Sequence, residues 1–453
     1  MNITIIGTGY VGLVTGTCFA EIGNQVLCVD NDKYKIDMLQ NNRIPIYEPG
    51  LEKLVHKNTS QKRLRFTSSV KEGVNSSEII FICVGTPPRK DGEADLSSVE
   101  KVCQQIARFA KSYKLVVEKS TVPVQTGIWI KQTFKMCNTH VGLDVASNPE
   151  FLREGSAIID FLNPDRIVIG VETERAENIL RELYQPIIYR KIDPSLQNPS
   201  SNSEPVPFIV TDIQSAELIK HACNSFLATK ISFINAIADL CEKVGADVEK
   251  VAQAMGLDKR IGKHFLKAGL GFGGFCFPKD LQAFIKIAEK FGYDFALLKE
   301  VERINNQRPL LLIEKIKQAL WILKDKTIGI LGLSFKPNTD DIRFAPSLEV
   351  IKRLQEEGAK IKAYDPAAME KIKKLFPSVS YENNPYEVAK GSDALIILTD
   401  WDEFKNLNLK KIKSLLIRPI IVDGRNIFDP NEMNKLGFLY KCFGRNVTSS
   451  DFL

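Results

Sequence analysis

The chain has no stretch that reaches the roughly 18 consecutive apolar residues a membrane-spanning helix needs, so no membrane span is expected. Its nine cysteines are scattered and odd in number, and no two are spaced Cys-x-x-Cys. That argues against structural zinc and against a disulfide framework, and for thiols kept in a reducing cytoplasm. No metal is expected. Charge of one sign is lacking too. The 61 basic and 55 acidic residues leave a formal net charge of +6, a mild bias that suits anionic small molecules and falls far short of the clustered basicity of a nucleic-acid binder. No short tandem repeat is present. The apolar N-terminus, MNITIIGTGYVGLV, has no basic lead and is interrupted by glycines, so it reads as a strand and phosphate loop rather than a signal peptide.

At 453 residues the chain is too long for one ordinary core, and length alone suggests roughly three domains of about 150 residues. Strand-like runs (NITIIG, QVLCVD, EIIFICVGTP, KLVVEKSTVP, LDVASNPE) alternate with helical patterns over residues 1–200, the signature of parallel crossover units. Residues 193–207 are rich in Pro, Ser and Asn and read as a surface loop. The central region, residues 208–308, is helical in pattern from Asp212 to about Arg308, with apolar residues at i, i+3, i+4 and i+7 over many turns. So long a helix could bridge domains, form a dimer interface, or lie buried in one core. Alternation returns over 320–453. The expected fold is α/β: two Rossmann-like doubly wound domains joined by a central long-helix region.

Gly7-Thr8-Gly9-Tyr10-Val11-Gly12 follows a strand and opens a helix. The first glycine allows the turn, the second lets backbone approach a pyrophosphate, and the third lets helix and strand pack closely. Asp30 ends the second strand, where a carboxylate binds ribose hydroxyls and repels a 2′-phosphate, so NAD is preferred to NADP. Lys35 either neutralises phosphates and covers the adenine or is a solvated helix lysine. The later strand TIGILGL leads into SFKPNTDDIR and lacks the third glycine, so no dinucleotide is expected there. Lys336 and Arg343 in that loop could still meet phosphates.

The segment GLGFGGFCFPKD, residues 269–280, carries four glycines in six residues and then Cys276, Lys279 and Asp280. Backbone of this kind can press against a ligand, and a neighbouring cation favours the thiolate, which is the nucleophile. The bland alternative is a small buried hydrophobe. One hydride transfer turns an alcohol into an aldehyde; a second requires a tetrahedral carbon that still bears hydrogen. A thiolate adding to the aldehyde supplies a thiohemiacetal, and loss of hydride from it gives a thioester that water hydrolyses. A nicotinamide site and an activated cysteine in one chain therefore point to four-electron oxidation.

Taken in order, GTGYVG with VDNDKYKI, PIYEPGL, VGTPP, EKSTVP, SNPEFLREGSAI, AELIKHACNSF, RIGKHFLKAGLGFGGFCFPKD, GLSFKPNTDDIRFAPS and DGRN run nearly the whole length. On these motifs the chain resembles the UDP-glucose/GDP-mannose dehydrogenase family. The resemblance implies an N-terminal NAD domain, a central dimer-forming region and a C-terminal sugar-nucleotide domain. It implies UDP-glucose as substrate, oxidised to UDP-glucuronate with two NAD, and a homodimer or higher even oligomer. GDP-mannose or an N-acetylated UDP-hexosamine is the alternative substrate.

The resemblance also assigns roles. Cys276 would be the nucleophile. Lys220 and Asn224, four apart and so on one helix face, would steady the oxyanion. Asp280 would orient water or move a proton, or else cap a helix. Thr121 would hold a water or approach the nicotinamide, and Glu150 would act as base on the hydrolytic water. Glu154 would contact cofactor or water, Thr86 would line the cofactor cleft, and Arg343 would approach the NAD phosphates. Phe151, Leu152 and Arg153 would contact the sugar nucleotide, as would Phe265, Lys267, Phe272 and Gly273. Phe277, Lys279, Lys336 and Arg425 complete that set, and Arg260 would reach a partner's substrate. Two features depart from the family pattern: Phe275 stands where serine is usual before the cysteine, and the 193–207 segment is longer than usual.

Overall fold

The computed structural model describes residues 1–89, 92–137, 141–197 and 204–445. Of the polar loop 193–207, residues 198–203 lie outside the described residues; Pro194–Leu196 form a short 3-10 turn. Two compact units divide the chain. One comprises Met1–Cys223 with Gln282–Phe291, and the other Asn224–Leu281 with the chain from Gly292.

The first unit holds β1 (Asn2–Ile6), β2 (Gln25–Val29), β3 (Leu64–Thr67), β4 (Ile79–Ile82), β5 (Lys114–Glu118), β6 (Leu143–Ser147), β7 (Ile167–Gly170) and β8 (Phe208–Thr211). They form one sheet in the order β3-β2-β1-β4-β5-β6-β7-β8. All pairings are parallel except β6 with β7. Alternate residues of a strand enter different cores. Ile3, Ile5, Ile79 and Phe81 pack on one face, and Ile6, Ile80, Ile82 and Val116 on the other. A sheet covered on both faces needs such continuous apolar strands, which is what NITII and IIFI supply.

The second unit repeats the plan with β9 (Thr327–Leu331), β10 (Lys360–Tyr364), β11 (Ser380–Tyr381), β12 (Ala394–Ile397), β13 (Ile420–Asp423) and β14 (Leu439–Lys441), ordered β11-β10-β9-β12-β13-β14. Every pairing is parallel. In each sheet the strand order reverses beside the unit's first strand, which opens a crevice at the carboxyl ends of the strands, the usual seat of a ligand in this architecture. The fold is thus the expected one, two Rossmann-like sheets with long helices between them in sequence: Ile213–Val244, Cys276–Lys290 and Ala296–Leu320. Among the described residues no helix is long and apolar enough to cross a membrane.

Candidate active site

In the first unit the glycine turn follows β1 directly. Gly7 has φ +102°, and a Cβ there would meet Cys83 O at 2.5 Å; a Cβ on Gly12 would meet Gly7 O at 1.9 Å. Gly9 differs: nothing lies within 4 Å of its Cβ position. Two glycines are therefore required by packing, and the middle one leaves open space over the backbone where a pyrophosphate would sit. Tyr10 and Val11 begin the helix Tyr10–Glu21. Asp30 Oδ2 accepts from the Thr8 N–H and hydroxyl, each at 2.8 Å, and Oδ1 from the Asp32 N–H at 3.0 Å. Burial pushes the Asp30 carboxyl up, but these bonds and Lys35, 4.0 Å away, outweigh it and hold the carboxyl below its ordinary range. An ionised carboxylate at the end of β2 suits a ribose diol, so the residues present fit NAD.

Sequence reasoning passed over Glu48, although it lies inside PIYEPGL. It accepts from the Tyr10 hydroxyl, from Gly155 N–H at 2.6 Å and from Ala157 N–H at 2.8 Å. One buried carboxylate thus ties the phosphate-loop helix to the turn after Arg153-Glu154. Thr86 donates its hydroxyl to Thr121 O at 2.8 Å, joining the VGTPP and STVP segments.

Glu150 and Lys220 form a buried ion pair at 2.9 Å, and the same ammonium donates to Glu150 O at 2.6 Å. The other carboxylate oxygen accepts from Leu152 N–H at 2.6 Å. Lys220 also lies 5.6 Å from the centre of the Phe151 ring, and Arg166 lies 3.8 Å from it. Lys119, another residue inside a quoted motif but not singled out, donates to Asn148 Oδ1 at 3.0 Å. Burial brings its ammonium down to about 8. Arg153 is exposed and paired with Asp160 at 2.6 Å.

In the second unit Cys276 is the first residue of the helix Cys276–Lys290. A helix N-terminus favours an anion, here the thiolate. All nine cysteines are without disulfides, and Cys276 is among the few not fully buried. The glycine loop before it is held peptide by peptide. Gly269 N–H donates to Asn235 Oδ1 at 2.8 Å, and Gly269 O accepts from Arg308 Nε at 3.0 Å. Leu270 N–H donates to Gly424 O at 2.7 Å. Gly271 O accepts from Arg425 Nη1 at 2.8 Å, and Phe272 exchanges bonds of 2.8 and 3.0 Å with the Asn305 amide. Gly271 sits at φ +83°, and a Cβ there would strike Asn305 Oδ1 at 2.4 Å. Gly273 is equally confined, its Cβ position 2.3 Å from Phe344 O. Asn305 and Arg308 belong to no motif, and nothing in the sequence marked them.

Asn224 Nδ2 donates to Asp280 Oδ2 at 2.6 Å, and Lys279 lies 3.2 Å from Oδ1 of the same carboxylate; all three side chains are buried. Phe275 fills the departure position, with Arg343 at 4.3 Å and Lys279 at 5.3 Å from its ring centre. Arg343 also pairs with Asp341 at 2.6 Å. Phe277 makes ring contacts with both Phe265 and Phe272, centres 6.1 and 5.7 Å apart. Lys267 pairs with Asp400 at 2.8 Å, and Lys336 lies over Phe335. Arg425 donates Nε to Leu398 O at 2.7 Å and Nη2 to Phe335 O at 3.1 Å in addition to its bond to Gly271 O. Arg260 is exposed and paired with Asp258 at 2.6 Å.

Residues 1–188 match the NAD binding domain of the UDP-glucose/GDP-mannose dehydrogenase family, 214–307 its central domain and 329–430 its UDP binding domain. The chain is 48% identical to the UDP-glucose 6-dehydrogenase TuaD of Bacillus subtilis, over 98% of this chain and 93% of that one. It is 45% identical to the UDP-glucose 6-dehydrogenase of Rhizobium meliloti, over 98% of this chain and all of the other. Among solved structures, a UDP-glucose dehydrogenase from Pyrobaculum islandicum superposes with TM-score 0.88 at 39% identity, covering 97% of this chain and 96% of that one. The UDP-D-ManNAc dehydrogenase of Pyrococcus horikoshii gives 0.83 at 27%, with 98% and 99% covered.

Proposed function

This chain belongs to the UDP-glucose/GDP-mannose dehydrogenase family, and from that premise we propose that it is a UDP-glucose 6-dehydrogenase: it oxidises the 6-hydroxymethyl group of UDP-glucose to a carboxylate, using two NAD and one water. The observation that carries the reading is Cys276, placed at a helix N-terminus behind a glycine loop whose backbone is fixed by Asn235, Asn305, Arg308 and Arg425. NAD, when bound, supplies the hydride acceptor, and Gly7, Gly9, Gly12 and Asp30 would hold its pyrophosphate and ribose.

The first oxidation removes a hydride and the hydroxyl proton, leaving an aldehyde. The Cys276 thiolate adds to that carbon, forming the S–C bond of a thiohemiacetal. Lys220 and Asn224, a cation and an amide donor, steady the oxyanion. Loss of a second hydride, with the negative charge on oxygen collapsing to a carbonyl, gives the thioester. Glu150 and Asp280 are the carboxylates that would orient and deprotonate water; hydrolysis breaks the S–C bond and returns the thiol. Lys279, Lys336 and Arg425 supply cations for the diphosphate, and Phe265, Phe272 and Phe277 an aromatic wall.

The protein is read as a cytoplasmic homodimer or higher even oligomer. The helix Ile213–Val244 leaves Phe226, Phe233, Leu240 and Val244 at least half exposed, an apolar row that a second copy would cover. Light scattering that returns a monomer would overturn this.

The deciding measurement is NADH formed per UDP-glucose consumed, by wild type and by Cys276→Ser. The expected ratio is about two for wild type, with the variant releasing no free acid. A ratio near one, or full turnover without the thiol, would sink the covalent mechanism. Turnover of GDP-mannose or an N-acetylated UDP-hexosamine alone would reassign the substrate.

A further inference from the structure

The start of the turn that carries Thr121 is held at three consecutive residues. Ser120 N–H donates to Glu118 Oε1 at 2.7 Å, Thr121 O accepts from Thr86, and Val122 O lies 2.8 Å from His221 Nε2. The far end is held by one side chain. Glu217, in the helix Ile213–Val244, accepts from Gln125 N–H through Oε2 and from Gly127 N–H through Oε1, both at 2.7 Å. Gln125 has φ +81°, a left-handed conformation that a non-glycine residue keeps only when its surroundings impose it. Gly127 comes so close to this helix that a Cβ would strike Ile213 at 2.5 Å. Glu217 is buried, as are Glu118 and His221, and the mechanism above uses none of them.

We propose that Glu217 is a positioning residue: its ionised carboxylate clamps the strained turn Thr121–Gly127 onto the helix Ile213–Val244 and so sets where Thr121 stands. Two N–H groups converge on one side chain, and a carboxylate is the group that can accept both in the same plane. A proton on either oxygen turns an acceptor toward a donor and loosens one bond. Burial, with a smaller push from Asp212, raises the Glu217 carboxyl to about 7 against the lowering by the Gly127 and Gln125 N–H groups and by Lys131. Glu118, at the end of β5, is pushed up to about 8 by burial first and by Glu217 as well, so it is still neutral where Glu217 titrates, and His221 lies one turn along the same helix. The clamp is therefore tight above neutral pH and slackens below it.

The consequence for turnover rests on the reading of Thr121 as a residue that faces cofactor or water; the clamp itself does not. The test separates the two by measuring amide hydrogen exchange of residues 120–130 in the ligand-free full-length protein from pH 6 to 9, normalised to the intrinsic rate, beside steady-state kinetics. Wild type is expected to show protection that rises through pH 7. Glu217→Gln presents an amide N–H where an acceptor is needed, so it should lose that protection at all pH values. Its kcat should drop about tenfold above pH 8 with UDP-glucose KM changed less than about twofold, and the pH step should vanish. Wild-type protection together with an unchanged pH profile in Glu217→Gln overturns the proposal. Glu118→Gln keeps both Glu217 bonds and removes a carboxyl that is still neutral where Glu217 titrates; it should leave the wild-type exchange transition in place, and loss of the transition in this variant would assign it to Glu118 and overturn the proposal even if Glu217→Gln fails to fold. Failure of wild type to oxidise UDP-glucose would remove the substrate assignment and leave the exchange result standing.

Discussion

Asn224 and Asp280 meet through a 2.6 Å hydrogen bond with both side chains buried. An amide donor aimed at a carboxylate this far from solvent fixes the direction of both groups. Asn224→Ala removes the donor and leaves the carboxylate under-satisfied, a loss of about 1–3 kcal/mol for a buried polar group. The expected outcome is a lower melting temperature together with a kcat reduced by roughly two orders of magnitude. A variant with full kcat would remove Asn224 from the oxyanion role.

The ion pair of Lys220 and Glu150 predicts an asymmetry. Lys220→Met strands a buried carboxylate and should cost about 3–5 kcal/mol. Lys220→Met with Glu150→Gln removes both charges and should recover much of that stability while remaining inactive. Denaturant titration of the single and double variants checks this: equal losses in both would mean that the pair carries no coupling.

The phosphate turn predicts a contrast between two glycines. Gly12→Ala forces a Cβ to 1.9 Å from Gly7 O and should fail to fold or fold with reduced stability. Gly9→Ala meets no protein atom within 4 Å and should fold like wild type, yet lose NAD affinity about a hundredfold or more, since the methyl occupies ligand space. Calorimetric titration with NAD, beside thermal melts, tests both. Unchanged NAD binding in a folded Gly9→Ala would move the cofactor elsewhere.

Much of this was legible beforehand because its chemistry is local. A glycine turn after a strand, an acidic residue at the end of the next strand and a cysteine closing a glycine run are each read within a few residues. Glu48, Glu217, Asn305 and Arg308 are not of that kind. Their partners lie far along the chain: 107 residues separate Glu48 from Gly155, and 33 separate Asn305 from Phe272. Only folding brings a donor and acceptor so spaced together. Arg425 shows the same limit from the other side. Resemblance pointed it at a diphosphate, and nothing in DGRN foretold that its guanidinium also gathers Leu398 O, Gly271 O and Phe335 O.

Glu118 predicts how stability varies with pH. Burial is the largest influence on its carboxyl and pushes it up to about 8, from an ordinary 4.5. Folding therefore takes up a proton between those values. The stability conferred by neutral Glu118 is complete at low pH and is lost as pH rises toward 8. Glu118→Gln keeps an acceptor for Ser120 N–H and has nothing to ionise. Its melting temperature relative to wild type should climb by about a few degrees from pH 5 to pH 8. A constant difference over that range would show that Glu118 is already ionised in the folded protein.

Phe275 predicts a mild, geometry-specific effect. A cation near an aromatic face is worth about 0.5–2 kcal/mol, and Arg343 and Lys279 both approach this ring. Phe275→Tyr should leave KM for both substrates near wild type, whereas Phe275→Leu should raise one of them about two- to tenfold. Equal values for the tyrosine and leucine variants would mean that ring electronics play no part.

The tethering of Gly269–Phe272 has an evolutionary corollary. Asn235, Asn305, Arg308 and Arg425 grip main-chain atoms of the loop they hold, and Asn305 stands so close to Gly271 that only glycine fits there. The address of the thiol is thus written outside the segment that bears it. The confined Gly271, Gly273 and Gly274 cannot gain side chains, but position 275 lies outside the tethered stretch and already carries phenylalanine, and a new sugar could be accommodated by rewriting it while the nucleophile stays where it is.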